Sequence, residues 1–172
     1  KGHNGKLCLP RFKQDNNIYA LKCIKKNRAK IKQKCDKNAI EHPFLLTHFI
    51  FFENEKYYLY AYSNYPNLDL KEYKLFPEDG FKFYFAQIAI TIDLFHKMGI
   101  VYKILNLKNV LLDSNGFIRM VDICIEENDS YTPPEVIIGE SFGKPVDLWC
   151  MGVLLYELYH GNVILFNIAS FL

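Results

Sequence analysis

The chain changes its hydrophobic rhythm once. Over residues 1–62 apolar and polar side chains alternate in short runs around turns, the period of strands, and over residues 77–98 they recur at helical spacing. This switch predicts two lobes, the first rich in strands and the second led by a helix. With 172 residues, half of them hydrophobic and 16% aromatic, there is apolar material for a real core, so the chain folds instead of remaining disordered.

Charge narrows the function classes. A net charge of +2 gives no global field that would point to nucleic acid or a membrane surface, so function rests on local sites. The basic run KKNRAKIKQKCDK at 25–37 lacks the interleaved aromatics of a nucleic-acid patch and reads as a solvated segment, with Ile31, Cys35 and Ala39 at helical spacing. Five widely spaced cysteines without a CxxC pair argue against a disulfide framework or a zinc site, and no secretory leader is visible. A cytoplasmic or nuclear, non-secreted protein is expected. The start without Met suggests that the true N-terminus is missing, and the apolar tract at 149–172 is broken by Glu157, His160, Asn162 and Asn167, as suits a buried helix and not a membrane span.

Several residues could carry chemistry. In IYALKCI, residues 18–24, alternation puts Ile18, Ala20, Lys22 and Ile24 on one face, so that Lys22 either snorkels from a sheet edge or meets an anion in a cleft. Upstream, KGHNGKL offers Gly2 and Gly5, where backbone amides could approach phosphates, though any hairpin can use two glycines. FLLTHFIFF and KYYLYAY read as two strands about the turn ENE, with His48 as a core histidine. PEDGFKFYFAQIAITIDLFHKMG is a helix that starts at Pro77, buries Tyr84, Ile88, Ile92 and Phe95, and stops at Gly99. VLL and FIRMV then form a hairpin through Asp113-Ser114-Asn115-Gly116, which returns Asn109 and Asp122 to the same end. Two such oxygen ligands suit Mg²⁺, or else they stabilise a loop and a turn.

In this order the motifs resemble the protein kinases, and among them the AGC-type serine/threonine kinases, the group of the cyclic-AMP-dependent kinase. KGHNGKL resembles the latter part of the glycine-rich loop, YALK the strand of the ATP-contacting lysine, FHKMGIVY and LKNVLLDSNGFIRMVD the catalytic loop with its metal-binding strand, YTPPEVI the APE segment, and GKPVDLWCMGVLLYELYHG helix F. The resemblance runs along essentially the whole chain. It implies an α+β, bilobal fold, with a β-rich N-lobe over 1–62 and a mainly helical C-lobe over 63–172 that is truncated after helix F. It also implies ATP and Mg²⁺ as cofactors. Gly2, Gly5 and Leu7 would lie over the nucleotide, Ala20 and Leu111 would sandwich adenine, and Tyr60 would be a bulky gatekeeper before a hinge at Ala61 and Tyr62. Asp69 would contact ribose, Lys22 the α- and β-phosphates, and Asn109 and Asp122 the metal. Asp147 would brace the catalytic loop from helix F, a helix apolar on every side.

Departures from the family pattern fall on the chemistry. HRD-L-K-x-x-N becomes YKI-L-N-L-K-N, so that Lys103 replaces arginine, Ile104 the proton-accepting aspartate and Asn106 the lysine near the transferred phosphate. DFG becomes Asp122-Ile123-Cys124, and the glutamate that pairs with Lys22 falls on Gln33, with Asp36 a shorter substitute. Only IEENDS separates residue 124 from Tyr131, which leaves a protein substrate little to rest on; Ser130, Tyr131 and Thr132 are conceivable phosphorylation sites. Lys108 stands where basophilic members carry glutamate, and Glu135 would lack its arginine partner. Loss of a general base costs about 3 to 5 kcal/mol of barrier, before the other losses are added. The expectation is a pseudokinase that binds ATP and acts through a protein partner, with no nucleic acid and no membrane involved. Two alternatives stand beside it: a weak serine/threonine kinase rescued by Asp113 or Glu127, and a fragment that binds nothing.

Overall fold

The computed structural model describes residues 5–13, 15–26, 42–46, 50–63, 65–66, 68–70, 78–103, 105–121, 131–140 and 143–161. Gly2, Gln33, Asp36, His48, Ile104, Asp122, Glu127 and Ser130 lie outside these residues, as does the 31–39 helix read from the basic run.

The strand rhythm yields a four-stranded antiparallel sheet in the order β1-β2-β5-β4, from β1 (Gly5–Cys8), β2 (Ala20–Lys25), β4 (Ile50–Glu53) and β5 (Tyr57–Tyr62). The strand expected from Ile18 begins two residues later. Ile18 forms an isolated bridge to Arg11 and is 54% exposed. The turn between β4 and β5 is set by Asn54, whose side-chain oxygen accepts the N–H groups of Lys56 and Tyr57.

FLLTHFIFF does not form one strand. Its first part, β3 (Leu45–Leu46), pairs in parallel with Met120 and Val121, whereas β4 pairs with β5. β3 belongs to a second sheet, ordered β3-β8-β7-β6, with β6 (Leu68–Asp69), β7 (Val110–Leu112) and β8 (Ile118–Val121). Side-chain alternation gives this small sheet two apolar faces. Leu45, Val110, Leu112, Ile118 and Met120 join the helical core, while Leu46, Leu111 and Val121 join Ala20, Ile24, Tyr60 and Tyr62 of the first sheet. The second sheet is thus the floor on which the first one rests.

The hairpin β7–β8 has the expected turn. Asp113 accepts the N–H groups of Asn115 and Phe117 and the Nε–H of Arg119, and Gly116 takes the positive φ (80°) that a side chain would resist. Loss of solvent pushes the Asp113 carboxyl up, but the Phe117, Asn115 and Arg119 donors outweigh it and hold the group below its ordinary value.

Helix α1 (Glu78–Lys97) buries the expected stripe of Tyr84, Ile88, Ile92 and Phe95. It ends where Gly99 turns left-handed (φ 74°), with the Ile100 N–H reaching back to the Phe95 carbonyl and that of Gly99 to His96. Gln87, 4% exposed, ties the helix to the floor by accepting the Ile118 N–H at 3.0 Å. A short helix, α2 (Pro134–Ile137), precedes α3 (Pro145–His160), which ends at a left-handed Gly161. α3 is not enclosed on every side. Val146, Asp147, Cys150, Leu154 and Glu157 form one buried stripe, packed in part against α1, while Leu148 is 54% and Tyr159 76% exposed. No helix among the described residues is long and apolar enough to cross a membrane.

Two outcomes test this architecture. Ile88→Ala, at a fully buried position, is expected to lower unfolding free energy by about 2–5 kcal/mol in urea denaturation. Because the folded Asp113 carboxyl is depressed, its contribution is complete above the unfolded value and is lost as pH falls through the folded one. Asp113→Asn should therefore flatten the acid limb of stability against pH.

Candidate functional site

The loop after α1 is held from below by one carboxylate. Asp147, in the first turn of α3 and without solvent exposure, accepts the Lys103 N–H on Oδ1 at 2.7 Å and the Tyr102 N–H on Oδ2 at 2.8 Å, and the same Oδ2 lies 2.8 Å from His96 Nε2. Lys103 adopts a left-handed backbone (φ 67°), which costs a residue with a Cβ about 1–3 kcal/mol. Hydrogen bonds to a charged acceptor contribute about 1.5–3 kcal/mol each, so the two backbone donors suffice to hold that turn. Tyr102 carries the brace onward. Its ring stacks on Phe95 and its hydroxyl donates to the carbonyl of Val121, the last residue of β8.

Two residues farther on, Leu105 is fully buried in the helical core, and the chain then turns through a single 3-10 turn, Leu107–Asn109. Asn106 caps that turn. Its side-chain oxygen accepts the N–H groups of Lys108 (3.0 Å) and Asn109 (3.1 Å), and the residue is 7% exposed. That oxygen serves its own backbone. Asn109 is half-buried at the start of β7, and β8 ends beside it, since Val110 pairs with Met120.

Above this loop, β2 places Ala20, Lys22 and Ile24 on the face that meets the floor. The register sets Lys22 between Leu7 on β1 and Tyr60 on β5, and Ala20 opposite Tyr62. Leu7 is 46% exposed, Lys22 is half-buried and engaged, and Gly5 opens β1. Ala20 (3% exposed) and Leu111 (4%) belong to one apolar cluster drawn from both sheets. Asp69 pairs with Leu111 across β6–β7, which puts its backbone next to the floor residue.

Ala61 and Tyr62, the expected hinge residues, are the last two residues of β5. Ala61 points to the opposite face and Tyr62, 0% exposed, stands in the cluster beside Ala20 and Leu111 and against the Tyr65 ring. Tyr60 and Tyr62 share the inner face, and Tyr62 stands nearer the end of the strand, so the chain leaves the sheet only after it. The run YYLYAY continues the strand period to its last residue and carries no punctuation that would mark this exit.

Comparison with known proteins agrees with this geometry. The family model described as "Protein kinase domain" matches residues 1–170. The chain belongs to the protein kinase family. It is similar to the serine/threonine-protein kinase Sgk1 of Gallus gallus and of Homo sapiens, each 34% identical over 94% of the chain and 44% of the relative, and to that of Danio rerio, 34% identical over 94% of the chain and 43% of the relative. These relatives make it a kinase domain of the AGC type, with the bilobal α+β fold. The chain spans less than half the length of the curated relatives it matches. The aligned length, 189 positions, exceeds the 172 residues of the chain, so the relatives carry positions that this kinase chain lacks.

Two readings change within this kinase frame. Tyr131 is 6% exposed, with its hydroxyl on the buried Glu157 carboxylate and its carbonyl near Cys150 Sγ, so no modifying enzyme reaches it. Glu135 is partly exposed, so contact with water lowers the cost it would carry unpaired. The sequence did not announce His96 or Gln87. His96 lies 51 residues from its partner, and neither breaks the periodicity of α1.

Asp147→Ala would strand two backbone donors and His96. A loss of about 3–5 kcal/mol in urea denaturation is expected, as for one partner removed from a buried polar cluster. Amide exchange at Tyr102 and Lys103 should accelerate more than at Ile88; uniform acceleration would place the brace elsewhere.

Proposed function

We propose that this kinase-domain chain is a pseudokinase, which holds ATP with Mg²⁺ but does not transfer phosphate, and which acts by contact with a protein partner. The observation that carries this reading is the contrast within one loop. The Asp147 brace and the Tyr102 link are formed, while the positions that react in the family hold Ile104 and an Asn106 whose side-chain oxygen caps its own turn.

The residues present fit the nucleotide. Ala20 and Leu111 offer two aliphatic faces from opposite sheets to a flat base, and Lys22 lies one alternation along from Ala20 on the same face, so an anion beside the base falls within its reach. Both aliphatic faces are nearly closed to solvent, so the base enters only as the two sheets part. Gly2 and Gly5 would approach the phosphates and Asp69 the ribose, and Asn109 with Asp122 would supply the oxygen donors that Mg²⁺ prefers. When bound, Mg²⁺ would neutralise phosphate charge. Nothing among the named residues takes the proton of an incoming hydroxyl.

The kinship with serine/threonine kinases favours a second reading, a weakly active enzyme. Asp113 gives it little support. It stands beyond the far end of β7 from Asn109 and is occupied by two backbone N–H groups and Arg119.

Titration with ATP and Mg²⁺ in a thermal-shift experiment separates these readings from a chain that binds nothing. Ligand at about 100 times its dissociation constant should add about 2.7 kcal/mol of stability, and Lys22→Met should abolish the shift. No shift with any adenine nucleotide at millimolar concentration would remove the nucleotide claim. Radiolabel transfer should equal that of Lys22→Met; transfer above it would establish the weak kinase.

A further inference from the structure

The face of the first sheet opposite Lys22 carries a pair of thiols. β1 and β2 pair with Lys6 opposite Cys23 and Cys8 opposite Leu21, so Lys6, Cys8, Leu21 and Cys23 share one face and the two cysteines are diagonal neighbours. Both are free and half-buried. Burial pushes the Cys23 thiol up, and the Cys8 sulfur beside it acts in the same direction, which marks the two sulfurs as neighbours in space as well as in register. The Lys6 ammonium opposes this and favours the Cys23 thiolate.

We propose that Cys8 and Cys23 form a dithiol oxidised by hydroperoxides to a disulfide that clamps β1 onto β2. One thiolate attacks the peroxide, forming an S–O bond, breaking the O–O bond and releasing water after protonation; the second thiol attacks the sulfenic sulfur, forms the S–S bond and releases another water. The two thiols together lose two electrons and two protons, and hydrogen peroxide is reduced to water. Either sulfur can take the oxygen first, and its neighbour across the strand pair is then the resolving partner.

Diagonal cross-strand pairs stand about 7–8 Å apart at Cα, slightly more than a disulfide spans, so oxidation must draw the strands together. Among the described residues β1 is at the edge of its sheet, where it can move. β2 carries Lys22 next to Cys23, so the bond ties the edge strand to the strand that holds that lysine. The proposal rests on the cysteine geometry and stands whether or not a nucleotide binds.

The full chain, reduced and then treated with equimolar hydrogen peroxide, is alkylated, digested and analysed by mass spectrometry. Two of the five cysteines are expected to escape alkylation, in a Cys8–Cys23 linked peptide lighter by two hydrogens and restored by dithiothreitol. In both Cys8→Ser and Cys23→Ser that peptide should vanish and the remaining thiol should gain oxygen. Five alkylated thiols after treatment, or linkage of either cysteine to Cys35, Cys124 or Cys150, would overturn the proposal.

Discussion

A carboxylate without solvent exposure organises the functional half of this chain. From α3, Asp147 gathers two successive backbone N–H groups and the His96 ring, and so fixes the left-handed turn at Lys103 and the ring of Tyr102 above it. An unpaired charge there would cost several kcal/mol, so the loop and the helix hold each other in place. Through the Tyr102 hydroxyl the same constraint reaches the end of β8, and through the β7–β8 register it reaches Asn109. These bonds join the Asp147 side chain to the His96 ring and to the backbone of residues 102 and 103, and the Tyr102 side chain to the backbone of residue 121, and none of them uses the side chain of residue 104. A kinase can therefore lose its proton acceptor and keep the shape of its loop.

The floor sheet serves as a second organiser. Each of its strands turns one set of side chains to the helices and the alternate set to the upper sheet, so Leu111 belongs to the cleft while Val110 and Leu112 belong to the core. Adjacent residues thereby belong to different apolar clusters. Tyr62 fills part of the junction between the sheets, in one buried apolar cluster with Ala20 and Leu111.

Legibility in the sequence followed the range of the interactions. The stripe of α1, the stop at Gly99 and the Asp113 turn depend on residues within a few positions of one another, and local pattern sufficed to find them. β3 was read as one strand with β4 because its partners, Met120 and Val121, lie far along the chain, and two residues display no period of their own. The exit from β5 has no local mark, because Tyr60 and Tyr62 present the same chemistry on the same face. The bracing by Asp147 came from family resemblance; His96 had neither pattern nor motif to reveal it. Asn106 showed in sequence only what it lacks, and its capping role emerged from geometry.

The most direct measurement is a crystal structure of the chain with a non-hydrolysable ATP analogue and Mg²⁺. The expected density has the base between Ala20 and Leu111, Lys22 on the phosphates, Asn109 and Asp122 on the metal, and an aliphatic Ile104 facing the space beyond the γ-phosphate. An acidic side chain within hydrogen-bonding distance of that space, or Lys22 and Asp122 turned away from one another, would contradict the account.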